Sequence, residues 1–272
     1  MVEQGQVAPI SDDEFGRIQR WLHETAGIFL PPAKKVLVEG RLAKRLRHYG
    51  MTSYGQYYRL VSSGKSPHEV QVMLDCLTTN ETYFFREPAH FDFLRQQVQG
   101  MPNHGDFRIW SAACSSGEEV YTLAMVLADT LKNKPWEILG SDLPMEVLRK
   151  ARQGLYSLDR TSGIPRESLQ KYCLKGTGSQ AGNFLIDKSL KQRTRFQQVN
   201  LKQPMTDKGK FDIIFLRNVL IYFDPDTKKD VVTRIVQQLH PGGYFFISHS
   251  ESLHGITSAV KMVRPSVFQR QG

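Results

Sequence analysis

Cysteine is scarce in this sequence: Cys76, Cys114 and Cys173 are the three in 272 residues, far apart and with no Cys-x-x-Cys pair. That spacing argues against a disulfide framework or a zinc site and for a reducing compartment. No metal is expected. Long apolar runs are lacking too, the longest being strand-length and interrupted, well short of the roughly 20 residues of a membrane span. The opening "MVEQGQVAPISDDEF" has no charged region followed by an apolar one, as a secretory signal would. A cytoplasmic protein without membrane insertion is expected. Acidic residues are outnumbered, 27 Asp and Glu against 36 Lys and Arg, for a formal charge of +9. The excess suggests an acidic partner, be it nucleic acid, a membrane surface or an acidic protein, and does not choose among them.

What is present is an ordinary globular composition, 40% hydrophobic and 23% charged, long enough for one large domain or two smaller ones. In "SDDEFGRIQRWLHETAG", Ser11 and Glu14 have capping-box spacing, Phe15, Ile18 and Leu22 share a face, and Gly27 is a stop signal. A second helix, "KKVLVEGRLAKRLRHYG", puts Val38, Leu42 and Leu46 on a buried side and Arg41, Lys44, Arg45 and His48 on another. By itself that basic run reads as a solvated helix surface. "TSYGQYYRLVSSG" and "PHEVQVMLDCLTTN" predict two more helices, so residues 1–78 form a small all-helical domain.

From residue 105 the texture changes to alternating strand and helix patterns: "FRIWSA", "EEVYTLAMVLADTL", "WEILGSD", "MEVLRKARQG", then "FDIIFLRN", "TKKDVVTRIVQQL" and "GGYFFISH". This order predicts an α/β fold, a Rossmann-like, mostly parallel sheet with helices on both faces, and ligands at the carboxyl ends of its strands. The first such place is the loop "AACSSG", with one glycine where a dinucleotide site carries three. Its following acids, Glu118 and Glu119, suit a helix N-terminus but repel phosphate. A cationic cofactor without phosphate, such as S-adenosylmethionine, fits better. Asp142 stands where an acid accepts hydrogen bonds from a ribose diol, or alternatively caps the next helix. Polar groups also gather at Arg217, Asn218, Tyr222 and Asp224, and in "LTTNETYFFREPAHF" at Thr78, Thr79, Asn80, Thr82, Arg86 and His90.

Taken in order, "TTNETYFFREPAHF", "WSAACSSGEE", "GSDLPMEVLRKARQGLY", "VNL", "FDIIFLRNVLIYFD" and "PGGYFFISHSESL" closely resemble the chemotaxis receptor glutamate methyltransferases of CheR type. The resemblance spans nearly the whole chain. It implies methyl transfer from S-adenosylmethionine, leaving S-adenosylhomocysteine, to glutamate carboxylates on cytoplasmic receptor helices. A carboxylate is already anionic near neutral pH, so no strong base is needed, and alignment and desolvation supply the catalysis. By match to the family's motifs, Asn80, Thr82 and Arg86 lie beside the cofactor. Arg86 also holds the incoming carboxylate, and Tyr222 is the second catalytic candidate. Ala112, Ala113 and Glu118 are assigned to the methionine part, Asp142 to the ribose, Asn200 and Leu201 to the adenine, and Asn218 and Val219 to the region near the sulfur.

In the family the helical domain faces the Glu-rich methylation region, which makes Arg41, Lys44, Arg45 and Arg47 candidate docking residues. The catalytic domain is expected over 79–272. Within it, residues 155–196 break the alternation. Gly176, Gly178 and Gly182 between short strand-like runs suggest a small antiparallel β insertion, which in some family members adds a receptor C-terminal peptide as an extra strand. The chain is expected to act as a monomer. Two other classes of function are open: a nucleic-acid methyltransferase, for which no RNA-binding motif is seen, and a non-catalytic receptor-binding relative, against which Arg86, Tyr222 and Asp142 count.

Overall fold

Ser11 accepts a hydrogen bond from the amide of Glu14 while the Glu14 carboxylate accepts from the amide of Ser11, which closes the N-terminal turn of helix α1, Asp12–Ala26. Gly27, at φ 72°, ends it in the left-handed conformation that glycine adopts without strain. This is the capping and stop pattern the sequence carries. The computed structural model describes residues 7–101, 105–132, 134–205 and 209–272. They divide into two units: one takes in the chain up to Thr79 together with Tyr222–Thr227, the other Asn80–Ile221 and Lys228–Gly272.

In the first unit, α1 is joined by α2 (Lys35–His48), α3 (Tyr54–Ser62) and α4 (Pro67–Leu77). Ile18 and Leu22 of α1 and Val38, Leu42 and Leu46 of α2 are completely buried, as their spacing predicts. Each such side chain contributes about 1.5–3 kcal/mol by leaving water. Beneath them lies a polar knot, in which the buried carboxylate of Glu69 accepts from Arg45 at 2.8 and 2.6 Å, Tyr57 at 2.6 Å and Tyr49 at 2.9 Å.

The second unit is built on a seven-stranded sheet. Its strands β1 (Phe107–Ser111), β2 (Trp136–Asp142), β6 (Thr194–Gln198), β7 (Phe211–Phe215) and β8 (Leu239–Phe246) are parallel, in the order β6-β2-β1-β7-β8. An antiparallel hairpin, β9 (Val260–Arg264) and β10 (Val267–Arg270), completes the β8 edge. Alternate strand residues serve opposite faces. Ile109, Ile213, Phe215 and Phe246 form one core with α5 (Ala89–Gln97) and α6 (Glu118–Leu131). Outside that core, α10 (Pro225–Val236) buries Val231, Val232, Ile235 and Val236, and α7 (Met145–Gln153) packs against β2 and β6.

The stretch with three glycines forms a separate antiparallel sheet: β3 (Leu155–Ser157), β5 (Asn183–Ile186) and β4 (Cys173–Lys175), in the order β3-β5-β4, with short helices α8 (Arg166–Tyr172) and α9 (Lys188–Lys191). Gly178 and Gly182 have φ of 54° and 88°. A side chain on Gly176 would run into the carbonyl of Gln180. The turn therefore needs its glycines. Thr194–Phe196, at the end of the stretch expected as insertion, belong to β6 of the large sheet.

Candidate active site

The sheet reverses its order between β1 and β7, and in open α/β sheets that is where ligands lie, outside the carboxyl ends of the strands. The loop Ala112–Gly117 leaves β1 there. Gly117 has φ 95°, and a Cβ on it would stand 2.9 Å from the Cβ of Ala151, so the one glycine of this loop is the one its packing requires. Four of the loop's six amides are engaged: Ala112 donates to Phe215 O, Cys114 to Ser141 O, Gly117 to Cys114 O and Ser115 to the Asp142 carboxylate at 2.7 Å. A phosphate nest needs such amides unengaged and convergent. The loop instead meets two acids, Asp142 and Glu118, and fits a positively charged cofactor without phosphate.

Asp142 precedes helix α7, whose N-cap residue, Pro144, makes no side-chain cap hydrogen bond. Its Oδ1 accepts from the amide of Leu143 at 2.8 Å, its Oδ2 from Ser115, and its carbonyl accepts from Val199. These bonds bring the exits of β1, β2 and β6 together. Asn200 and Leu201 follow directly, and the Ser115 hydroxyl donates to the carbonyl of Asn80 at 2.8 Å. Thus Asn80, the loop, Asp142 and Asn200 share one corner. Ala112 is buried and Ala113 half-buried.

Glu118 has no exposed surface. Burial raises its pKa against the opposing effect of Ser116 Oγ at 2.7 Å and Arg160 at 2.8 Å. Arg160 also donates to the carbonyl of Thr82 at 3.2 Å, so a residue between β3 and α8 ties Thr82 to Glu118. Sequence reading missed Arg160, because the periodic patterns give no weight to a polar residue in an irregular stretch.

Arg86 is half-buried, donates to the carbonyl of Glu81 at 2.9 Å, and lies 5.5 Å from the Tyr83 ring centre. Its neighbours Phe85 and Glu87 have φ of 56° and 59°, and Ser115 and Asn218 have 48° and 58°. Of the six described non-glycine residues with positive φ, these four stand at the candidate site. Such strain costs about 1–3 kcal/mol per residue and collects at functional sites. Buried Arg217 holds the segment: it donates to the Arg86 carbonyl at 2.6 Å and pairs with Glu119 at 2.8 Å and Glu87 at 3.0 Å. Asn218 donates through Nδ2 to Ser248 at 2.7 Å. The Glu251 carboxylate accepts from the amides of Asn218, Leu220 and Ser248, gripping the turn around Val219, and burial raises its pKa despite these donors. Glu251 was also missed, although an acid in the loop after a buried strand is a readable signal.

Tyr222 groups with the helical unit: its carbonyl accepts from the amide of Phe29 at 2.8 Å, Phe223 bridges to Ile28, and Asp224 pairs with His23 at 2.7 Å. Of the basic residues on α2, Arg41 donates to the carbonyls of Leu77 and Thr78, both at 2.9 Å, and Arg45 is held by Glu69. Lys44 and Arg47 are exposed and form no ion pair among the described residues.

Comparison with known proteins identifies the family. The profile of the CheR methyltransferase SAM binding domain matches residues 80–268, and that of the CheR methyltransferase all-alpha domain matches 13–78. The chemotaxis protein methyltransferase of Salmonella typhimurium is 37% identical over 271 residues, 98% of this chain and 93% of that protein. That of Escherichia coli is 41% identical over 246 residues, 89% and 85% of the two chains. Among solved structures, the N-methyltransferase NodS from Bradyrhizobium japonicum aligns at TM-score 0.43 and 14% identity, covering 73% of this chain and 96% of that one. The chain belongs to the CheR methyltransferase family and is an S-adenosylmethionine-dependent methyltransferase.

Proposed function

We propose that the protein methylates glutamate side-chain carboxylates of chemoreceptors, forming methyl esters, in the cytoplasm, as a monomer and without nucleic acid. The cofactor, when bound, supplies a methyl group activated by its sulfonium centre. Glu118, with Ala112 and Ala113, takes the methionine part, Asp142 the ribose, Asn200 and Leu201 the adenine, and Asn80, Thr82, Asn218 and Val219 the surroundings of the sulfur. The observation that carries the reading is Arg86. It is a cation whose backbone is held between two strained residues by a buried arginine, so its guanidinium can meet an incoming carboxylate with little reorganisation. Tyr222 is the second orienting group. No base is required, because the nucleophile is ionised near neutral pH.

In this reading residues 1–78 dock the receptor's methylation region, 79–272 carry the chemistry, and the insertion over 155–196 offers the edge of β4 to a receptor peptide. No described helix is long and apolar enough to cross a membrane. Kinetics test the assignment. Arg86→Ala and Tyr222→Phe should each lower turnover far more than cofactor affinity measured by calorimetry. Equal losses in both quantities would make them binding residues only.

A further inference from the structure

The segment that carries Arg86, the loop after β8 and the turn between β9 and β10 meet at one hydroxyl. Ser266, itself at φ 58°, places its Oγ 2.7 Å from Nε2 of His90 and 2.8 Å from Nδ1 of His249. A hydroxyl has one proton, and here the carbonyl of Pro265, 2.6 Å away, accepts it. With its proton there, the oxygen can accept from both rings, in the tautomers that carry the proton of His90 on Nε2 and that of His249 on Nδ1. Each ring's other nitrogen is left with a lone pair. Both lone pairs face the same carboxylate oxygen, Oε2 of Glu87, at 3.4 Å from His90 Nδ1 and 3.9 Å from His249 Nε2.

Three acceptor atoms thus lie within 4.8 Å of one another with no proton among them. His90 is 1% exposed, and its Nδ1 has no hydrogen-bond partner. Its contact with Glu87 is an ion pair only if the ring carries a second proton. A buried acceptor without a donor is costly, and convergent acceptors are what a cation satisfies.

We propose that Glu87, His90 and His249 bind one divalent transition-metal ion, zinc foremost, with Ser266 as the outer partner that orients both imidazoles. Two imidazole nitrogens and one carboxylate oxygen suit zinc and its neighbours, whereas calcium and magnesium favour all-oxygen sites. Metal-bound histidines nearly always have the far nitrogen held, as Ser266 holds both here. Ser248 does the same for the carboxylate, donating to Oε1 of Glu87 at 2.8 Å. The side chain of His249 is 47% exposed, which leaves an entry path and room for water ligands. Arg217, 3.0 Å from Glu87 Oε2, opposes a cation. It is shared with Glu119, however, so the two carboxylates and one guanidinium carry a net charge of −1 before the ion arrives. The scarcity of cysteine is no obstacle, since this donor set uses none. The ion's role would be positional: it would fasten the residue next to Arg86 to the β8 loop.

The full-length protein, stripped with a chelator, is titrated with Zn²⁺, Co²⁺ and Mg²⁺ and followed by calorimetry, thermal unfolding and, for Co²⁺, visible absorption. The expected result is one Zn²⁺ per chain at micromolar or tighter affinity, a raised Tm, a Co²⁺ d–d band, and no response to Mg²⁺. Ser266→Ala should weaken Zn²⁺ binding about 10–100-fold. His249→Ala, at an exposed position that leaves the core intact, should weaken it further and abolish the Co²⁺ band. Eight histidines make adventitious zinc binding a real alternative. Zinc binding unchanged in His249→Ala, or no stoichiometric binding by the wild type, would overturn the proposal and leave a cluster bridged by a proton.

Discussion

Lys44 and Arg45 are adjacent in the sequence and carry the same charge, yet their surroundings differ in kind. Arg45 reaches the carboxylate of Glu69, which is 1% exposed and also bonded by Tyr57 and Tyr49. Burial works to raise the pKa of Glu69, but the hydrogen bonds from Arg45 and the two tyrosines outweigh it and hold it below the ordinary 4.5. Removing one partner of such a buried pair leaves an uncompensated charge. Arg45→Ala should therefore cost about 3–5 kcal/mol in urea unfolding, whereas an exposed substitution such as Lys44→Ala should stay within about 0.5 kcal/mol. Equal, small effects would show that the Glu69 knot is not a structural tie. Sequence alone does not separate these neighbours, because helical period sorts residues by face and does not say which basic side chain finds a buried acid on another helix.

At the scale of elements, α2 keeps its exposed charge at Lys44 and Arg47. If this helix docks an acidic receptor segment, Lys44→Glu with Arg47→Glu should slow receptor methylation several-fold, leave cofactor affinity unchanged, and be mimicked by added salt as the Debye length falls below about 8 Å. A rate indifferent to both changes would make α2 a solvated face and leave the β4 edge as the receptor contact. Elements with a strong apolar signal were legible: α1 to α4 and the helices after β1, β2 and β7 follow the period of 3.6, while the strands read as short apolar runs, β7 being buried at all five residues. Three were not. β6, "TRFQQ", is an edge strand without a fully buried residue, and β9, "VKMVR", has four of its five residues exposed, so neither shows the alternation that half-burial imposes. α5 (Ala89–Gln97) begins at the end of a stretch that was read for its polar residues and not for helical spacing. At the site, the corner of Asn80, the loop and Asp142 was legible through its motifs. Arg160, Arg217 and Glu251 work through tertiary pairing, which spacing does not encode.

The molecule as a whole balances two kinds of carboxylate. Glu14, Glu69, Glu87 and Asp224 have lowered pKa values. For the three glutamates burial opposes the shift and is outweighed by hydrogen bonds and, for Glu87, by the charge of Arg217. For Asp224 the hydrogen bond from Thr227 leads. Below the ordinary values of 4.5 and 3.8 the unfolded chain takes up protons at these groups before the folded one does. Their stabilisation, complete above that range, is lost as pH falls through the folded values. Glu118 and Glu251, raised by burial, act with the opposite sign and weaken the fold as pH rises above 4.5. Asp12, Glu146 and Asp187 are lowered as well, and with seven such carboxylates against two, Tm should drop by several degrees from pH 5 to pH 3. A Tm that rose on acidification would mean that the two raised groups dominate. The central claim concerns the chemistry. Its most direct measurement is to incubate the protein with methyl-labelled S-adenosylmethionine and membranes containing chemoreceptors, isolate the receptor band, and treat it with mild alkali. A carboxylate product is a methyl ester, so the label should enter the receptor and be released as methanol. Label that stays on the receptor through alkali would place the methyl group on nitrogen or carbon and contradict glutamate esterification.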